Sequence, residues 1–427
     1  MKQLVLQLQA HPTFAKVWHW VKLIAITGGA QAAVQAMGML SGILIIRLLP
    51  VEEYALYTLA NTMLGTMTVL ADGGISTGVM AEGGKVWQDK EKLGIVIATG
   101  LDLRRKFAIG SLLVSIPILV YLLQNHGASV LMTLLIIASL IPAFFAALSD
   151  SLLQVAPKLH QDITPLQRNQ MTVSVIRLLL SGLTLFIFPW TFVALLANGI
   201  PIMYGNSQLR EINLSFINNV NKPSQVVRKE ILKTVYKILP TSIYYCFSGQ
   251  IMIWILSILG NSVAIAHIGA LGRFSIIFTF ISSMLTTVLI PRFARMTLDS
   301  RNMLKFFIKV QFVLFSTSFV LVLIFYLFSD YLLWVLGNSY SNLKLEFILV
   351  LICAGISMIS QFTNQFLSVK KIIINPIVFV VLMIFSQLFF LYFIKPHTTF
   401  DVLVFNILAI FVVYIFRVIY FFKTICF

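Results

Sequence analysis

Four ionisable side chains stand inside stretches of this chain that are otherwise apolar: Asp72, Arg177, Arg273 and Arg417. Holding such a group in hydrocarbon is costly, so each must face a cavity, a charged partner or the headgroup layer. Arg273 lies roughly ten residues into its stretch, within Gly269-Ala-Leu-Gly-Arg273, where small residues let a neighbouring helix or a ligand approach the backbone. Its type and position suit the binding of an anion in a cavity; a structural pair with Asp72 or another partner is the alternative. Arg177, nearer one end of its stretch, reads equally as a cavity residue or as one snorkelling to the headgroups. Arg417, close to the end of the last stretch, reads as snorkelling. Asp72 is followed by Gly73-Gly74 and so marks a bend or break in a helix. It suits either pairing with an arginine or carrying a coupling proton.

Neutral amides extend the same pattern. Gln31 and Gln35 are one helical turn apart, Asn61 and Gln250 lie in later stretches, and Gln361, Asn364 and Gln365 cluster on the stretch Phe347–Leu367, with Gln361 and Gln365 on one helix face. Each alone is more often an interhelical hydrogen bond than a ligand contact. Together with the charges they suit a hydrophilic central cavity for sugar hydroxyls and phosphate. The chain has no P-loop, no Gly-rich dinucleotide fingerprint, no H-E-x-x-H and no nucleophile elbow. It reads as a non-enzyme with no catalytic residue, no cofactor and no metal. Cys246, Cys353 and Cys426 fall in or beside apolar stretches without paired spacing, which reads as packing rather than as a disulfide framework or zinc site.

Helices across a membrane must position these groups. Hydrophobic residues make up 59% of the chain and charged residues 11%, with a mean hydropathy of +0.93, far from the composition of soluble domains. Apolar stretches of helix-spanning length are placed at Leu23–Ile46, Ala55–Met80, Phe107–Gln124, Ser129–Leu148, Met171–Phe188 and Thr191–Gly205. Six more follow at Ile238–Leu259, Val263–Ile290, Phe306–Phe328, Phe347–Leu367, Ile372–Ile394 and Val402–Phe422. The sixth is short of a full crossing. With the N-terminus inside, Lys and Arg outside the spans collect in cytoplasmic segments, and only Arg47, Lys344 and Lys395 fall on the other side. Both termini are therefore expected in the cytoplasm, and the +16 net charge is topology rather than a nucleic-acid patch. The first span lacks a cleavage site and is expected to be retained.

The chain also reads as two halves. Arg47–Tyr57 and Ser257–His267 are short polar turns between membrane-length stretches, one near the start of each half, with Leu49 matching Leu259 and Ala60 matching Ala270. Structural repeats of this kind place a transported species at the repeat interface. The expected units are a lobe of residues 1–205, a basic linker of residues 206–237 and a second lobe of residues 238–427. The fold class is thus all-α integral membrane, about twelve helices in two pseudo-symmetric six-helix lobes around a central cavity. Short outside loops, the largest Ser329–Glu346, leave no room for an extracytoplasmic catalytic domain.

Gly42-Ile-Leu-Ile-Ile-Arg-Leu-Leu-Pro-Val-Glu-Glu-Tyr-Ala-Leu-Tyr57, continued by Leu70-Ala-Asp-Gly-Gly-Ile75, resembles the opening of bacterial polysaccharide flippases of the Wzx type. These belong to the multidrug/oligosaccharidyl-lipid/polysaccharide exporter superfamily. Leu289-Ile-Pro-Arg-Phe-Ala-Arg295 is similar to that family's motif leaving the eighth span. Pro50 and Ala55 stand where the family has Gly, and His267 where Tyr is common; His267 reads as a packed or hydrogen-bonded ring rather than a titrating one. The resemblance implies a cavity that opens alternately to the two sides of the bacterial cytoplasmic membrane and moves an undecaprenyl-diphosphate-linked oligosaccharide. The glycan and diphosphate cannot cross ~30 Å of hydrocarbon unaided, whereas the polyprenyl tail can stay in lipid. Arg273, with Arg177 and Arg47, would meet the diphosphate or acidic sugars, and Asp72 would couple a proton or neutralise an arginine. Expected partners are this lipid-linked cargo, membrane lipids and a glycan-polymerase complex. The alternative is a multidrug or cation antiporter of the same superfamily, which calls for more acidic than basic cavity residues.

Overall fold

The computed structural model describes residues 12–218, 222–248, 250–258, 262–282, 285, 300–369, 374–396 and 398–426. Regular structure among them is helical, as a chain that must satisfy its own backbone in hydrocarbon requires. The first half comprises α1 (Pro12–Leu48), α2 (Val51–Asp72), α3 (Ile75–Lys85), α4 (Lys90–Asn125), α5 (Val130–Leu153), α6 (Val155–Leu159), α7 (Thr164–Ile187) and α8 (Thr191–Leu214). The second comprises α9 (Gln225–Ser248), α10 (Ile251–Ile258), α11 (Ser262–Leu271), α12 (Ser300–Leu327), α13 (Ser329–Leu336), α14 (Lys344–Val369), α15 (Pro376–Ile394) and α16 (Thr399–Cys426). From α11 the chain passes through a 3₁₀ turn, Gly272–Ser275, and stays helical to Ser282.

Among the described residues each expected span falls on helix; 249 and 259 of the seventh, 283–284 and 286–290 of the eighth and 372–373 of the eleventh lie outside the described residues. Nine helical stretches among those described are long and apolar enough to cross a membrane alone. The other three expected spans are α2 with α3, α8, and α9 with α10, which carry breaks or polar ends. Side chains such as Leu113, Phe186 and Phe385 point outward; so much exposed apolar surface suits lipid rather than water.

Helix ends follow local chemistry. Asp89 caps α4 by accepting from the backbone N–H of Glu91 and Lys92, both at 3.1 Å, and Ser129 Oγ caps α5 by accepting from Met132 N–H at 3.2 Å. The α8 terminus is capped from another helix: Glu53 of α2 accepts from Thr191 N–H at 2.7 Å and from its hydroxyl at 2.6 Å, placing a carboxylate at the positive end of the dipole. The break expected after Asp72 is present. Gly73 and Gly74 have φ of 49° and 97°, left-handed values that glycine adopts without strain. Gly73 N–H closes onto Val69 carbonyl at 3.0 Å, and α3 starts in a new direction.

Much of the basic linker is helical. Residues 206–214 complete α8 and residues 225–237 begin α9, because polar helix ends can project beyond the hydrocarbon that hydropathy detects. Likewise α4 starts at Lys90, well before the apolar onset at Phe107.

Helix pairing repeats with a shift of six spans. In the first half α5 packs on α8, α7 on α8, α1 on α7, α4 on α5, and α2 on both α5 and α8. In the second α14 packs on α16, α15 on α16, α9 on α15, α12 on α14, and α11 on both α14 and α16. The halves meet where α2 packs on α11, so tightly that a Cβ on Gly269 would stand 2.6 Å from Thr58 Oγ1. They also meet where α9 packs on α2, α3 and α4. At the basic end Arg228 pairs with Asp102 at 2.5 Å.

The opposite end carries two reciprocal clasps. The α1–α2 turn reaches the second half through Arg47, which donates to the carbonyls of Val335 (2.7 Å) and Trp334 (2.5 Å) and lies over the Trp334 ring. The facing ends of α10 and α11, the counterpart in the repeat, meet the first half. There His126 bonds Ser262 Oγ at 2.7 Å and Ser257 carbonyl at 3.1 Å.

Candidate functional site

The 3₁₀ turn aims Arg273 out of the second half and into the first. Its guanidinium lies beside the hydroxyls of Tyr54 and Tyr57, two buried, stacked rings one turn apart on α2. Tyr57 accepts a hydrogen bond from Asn198 Nδ2 at 2.6 Å. Asn198, Asn61 and Arg177 line a small pocket of about 90 Å³ between α2, α5, α7 and α8. Arg177 is thus within electrostatic reach of both Tyr57 and Arg273, and its buried Nε has no hydrogen-bond partner among the described residues. Two cations, one from each half, converge on a tyrosine pair. None of the ion pairs among the described residues includes either of them.

The second half holds a larger cavity of about 660 Å³, in the range of small-molecule sites. Gly272 and Ser275, flanking Arg273, form part of its wall, and Gln361, Asn364, Gln387 and Arg417 add polar groups. Arg417 does not snorkel to the headgroups. It is 5% exposed, donates from Nη1 to Ser360 carbonyl (2.9 Å) and hydroxyl (2.8 Å), and lies over the Phe379 ring. The hydroxyl-rich wall of α14 gives it better hydrogen bonds than the climb to the surface would.

Other expected residues scatter. Asp72 pairs with Arg104 of α4, not with Arg273; that guanidinium also donates to Ser76 Oγ, Ser151 Oγ and Leu148 carbonyl. Asp72 further accepts from Ser76 N–H at 3.0 Å, so the carboxylate pins the helix break. Arg47 serves the outer clasp, away from both cavities. Gln31 and Gln35 are half-buried on α1 and line neither cavity. Gln250 sits at the interruption between α9 and α10, where its carbonyl accepts from Trp254 N–H at 3.0 Å. Gln365 Oε1 is buried without a hydrogen-bond partner among the described residues. His267 packs edge-on against Tyr340, as a packed ring should. Tyr54, Tyr57 and Asn198 escaped notice as site residues; the one signal was the spacing of two tyrosines by three residues at the start of a span.

No protein-family model matches the sequence, and no curated protein is similar to it. Solved structures are. An inward-facing multidrug resistance MATE family transporter of the MOP superfamily is similar with a TM-score of 0.70 and 14% identity, over 92% of this chain and 94% of that one. An outward-facing form of such a transporter gives 0.59 and 14%, over 93% of each chain. A MOP superfamily transporter from Pyrococcus furiosus, whose binding pocket of reverse polarity suggested a different function, gives 0.54 and 15%, over 93% and 94%. At these identities the likeness is one of fold: the chain has the architecture of MATE transporters.

Proposed function

We propose that this chain is an alternating-access transporter of the bacterial cytoplasmic membrane that flips oligosaccharides carried on undecaprenyl diphosphate. The observation that carries the reading is the meeting of Arg273 and Arg177, from opposite halves, beside Tyr54 and Tyr57 with no carboxylate paired to either among the described residues. Two guanidiniums within electrostatic reach of each other in a membrane interior repel, a cost that an anionic cargo removes. Guanidinium donors also match phosphate oxygens bidentately. The adjoining cavity, with Gln361, Asn364 and Gln387, offers amides to sugar hydroxyls.

The charge rule places the basic loops and both termini in the cytoplasm. The Arg47 and His126 clasps then close the outer end, leaving loading from inside. Rocking of one half against the other at α2 and α11 would pass the headgroup across while the polyprenyl tail stays in lipid. The Pyrococcus furiosus example supports judging cargo from pocket charge rather than from fold. The multidrug neighbours favour a second reading, drug or cation antiport, which two converging arginines oppose.

The test is Arg273→Ala in the native host. Membrane insertion should be unchanged, complete lipid-linked repeat units should accumulate at the cytoplasmic face, and surface polymer should disappear. Normal glycan export by this variant sinks the reading.

A further inference from the structure

We propose that the first half carries a binding site for the headgroup of an anionic phospholipid, in a cleft between α4, α5 and α8 at the basic end. The site does not depend on what the protein transports. The cleft holds about 510 Å³, ample for a headgroup. Its lining carries Arg104 and Arg105 from α4 and Arg210 from α8, with Glu211 as the acid, together with apolar side chains that include Ile97, Leu101, Phe145 and Leu148.

The membrane boundary passes through it. Apolar spans begin at Phe107 and end at Leu148 and Gly205, so on all three helices hydrocarbon gives way to polar chain at this level. Phe145, at the edge of its span, keeps 40% of its surface exposed, in reach of acyl chains. The arginines stand on the polar side of the same boundary. Arg210 is steadied by donating to Asn206 Oδ1 at 3.3 Å. Asn206 is itself fixed to α5 by bonds to Ala146 carbonyl (3.1 Å) and Ser149 Oγ (2.8 Å). Arg104, 3% exposed and committed to Asp72, adds buried charge to the lining, while the exposed Arg105 and Arg210 reach the phosphodiester.

A basic pocket between helices at the membrane surface is the arrangement that holds anionic headgroups. Soluble phosphate would satisfy the arginines but leave the apolar lining uncovered; a phospholipid satisfies both. Because Arg104 also pins Asp72 beside the Gly73–Gly74 break, an occupied cleft bears on the bend between α2 and α3.

The test uses the full chain in detergent, reading the thermal unfolding midpoint against added phosphatidylglycerol, phosphatidylethanolamine or inorganic pyrophosphate. Phosphatidylglycerol should raise the midpoint and the zwitterionic lipid should not. R105Q/R210Q should weaken the apparent affinity for phosphatidylglycerol about 30-fold, and R105K/R210K should restore most of it. A control, K229Q/K237Q, removes two exposed lysines away from the cleft and should respond as wild type. The proposal fails if the response survives in R105Q/R210Q, is lost equally in the control, is shared by phosphatidylethanolamine, or is matched by pyrophosphate alone.

Discussion

Arg273 rests on Gly42 across the boundary between the halves: a Cβ on Gly42 would stand 3.2 Å from Arg273 Cδ and 3.3 Å from its Nε. The cation of one half thus occupies a notch that the other half leaves by omitting a side chain. In Gly42→Ala the flexible arginine need move only a few tenths of an ångström, so transport should stay within about twofold of wild type. Gly42→Leu fills the notch and evicts the guanidinium. Surface glycan should then fall at least about tenfold, with normal protein in the membrane. Wild-type glycan levels in Gly42→Leu would show that Arg273 need not sit where it does.

The Asp72–Arg104 pair makes a prediction of the opposite kind. Arg104 is 4% exposed in its side chain and Asp72 28%, so removing the carboxylate strands a buried cation. Asp72→Asn should cost about 2–3 kcal/mol of stability, less than a fully buried pair because the carboxylate keeps some solvent. Replacing both partners, as D72N/R104L, should recover much of that loss. Unfolding midpoints of the two singles and the double decide the stability question. Transport by the double decides the role: activity retained makes Asp72 a pin for the helix break, and activity lost with stability restored makes it the coupling group.

His126 should make the outer end sensitive to pH. Burial holds its ring below the ordinary value of 6.5, partly offset by the hydrogen bond to Ser257 carbonyl. The clasped ring therefore stays neutral where a released ring would take a proton, and released forms bind more protons. The sign follows: the clasp holds above about pH 6.5 and loosens as pH falls below it. Spin labels at Gln124 and Val263, on either side of the clasp, should move apart on acidification. His126→Gln should flatten that dependence, and an unchanged profile in this variant would assign the pH response elsewhere.

Much of the fold was legible because hydropathy and helix signals agree. Ser129 marks the start of a span and caps its helix, and Gly73-Gly74 marks a break that the backbone makes with two positive φ values. The sixth span, short by hydropathy, is a helix of 24 residues because its polar end continues past the apolar run. The site was less legible. Arg104 precedes the apolar onset and so counted as a loop charge, which hid the partner of Asp72. Arg417 lies near a chain end, where snorkelling is the ordinary outcome, and only the position of Ser360 on another helix shows why it stays inside. The tyrosines around Arg273 look like ordinary packing until α11 is laid against α2.

The two clasps at the outer end are alike in layout and unlike in chemistry. The Arg47 clasp is a guanidinium donating to two carbonyl oxygens; the His126 clasp is an imidazole that burial favours in its neutral form. Acid thus unlatches one side of a two-point closure and leaves the other fastened. On acidification the His126 side is then expected to part first, between His126 and the facing ends of α10 and α11, while the Arg47 side stays bonded. Two halves of one layout thus differ in what fastens them, one side by a guanidinium and the other by an imidazole.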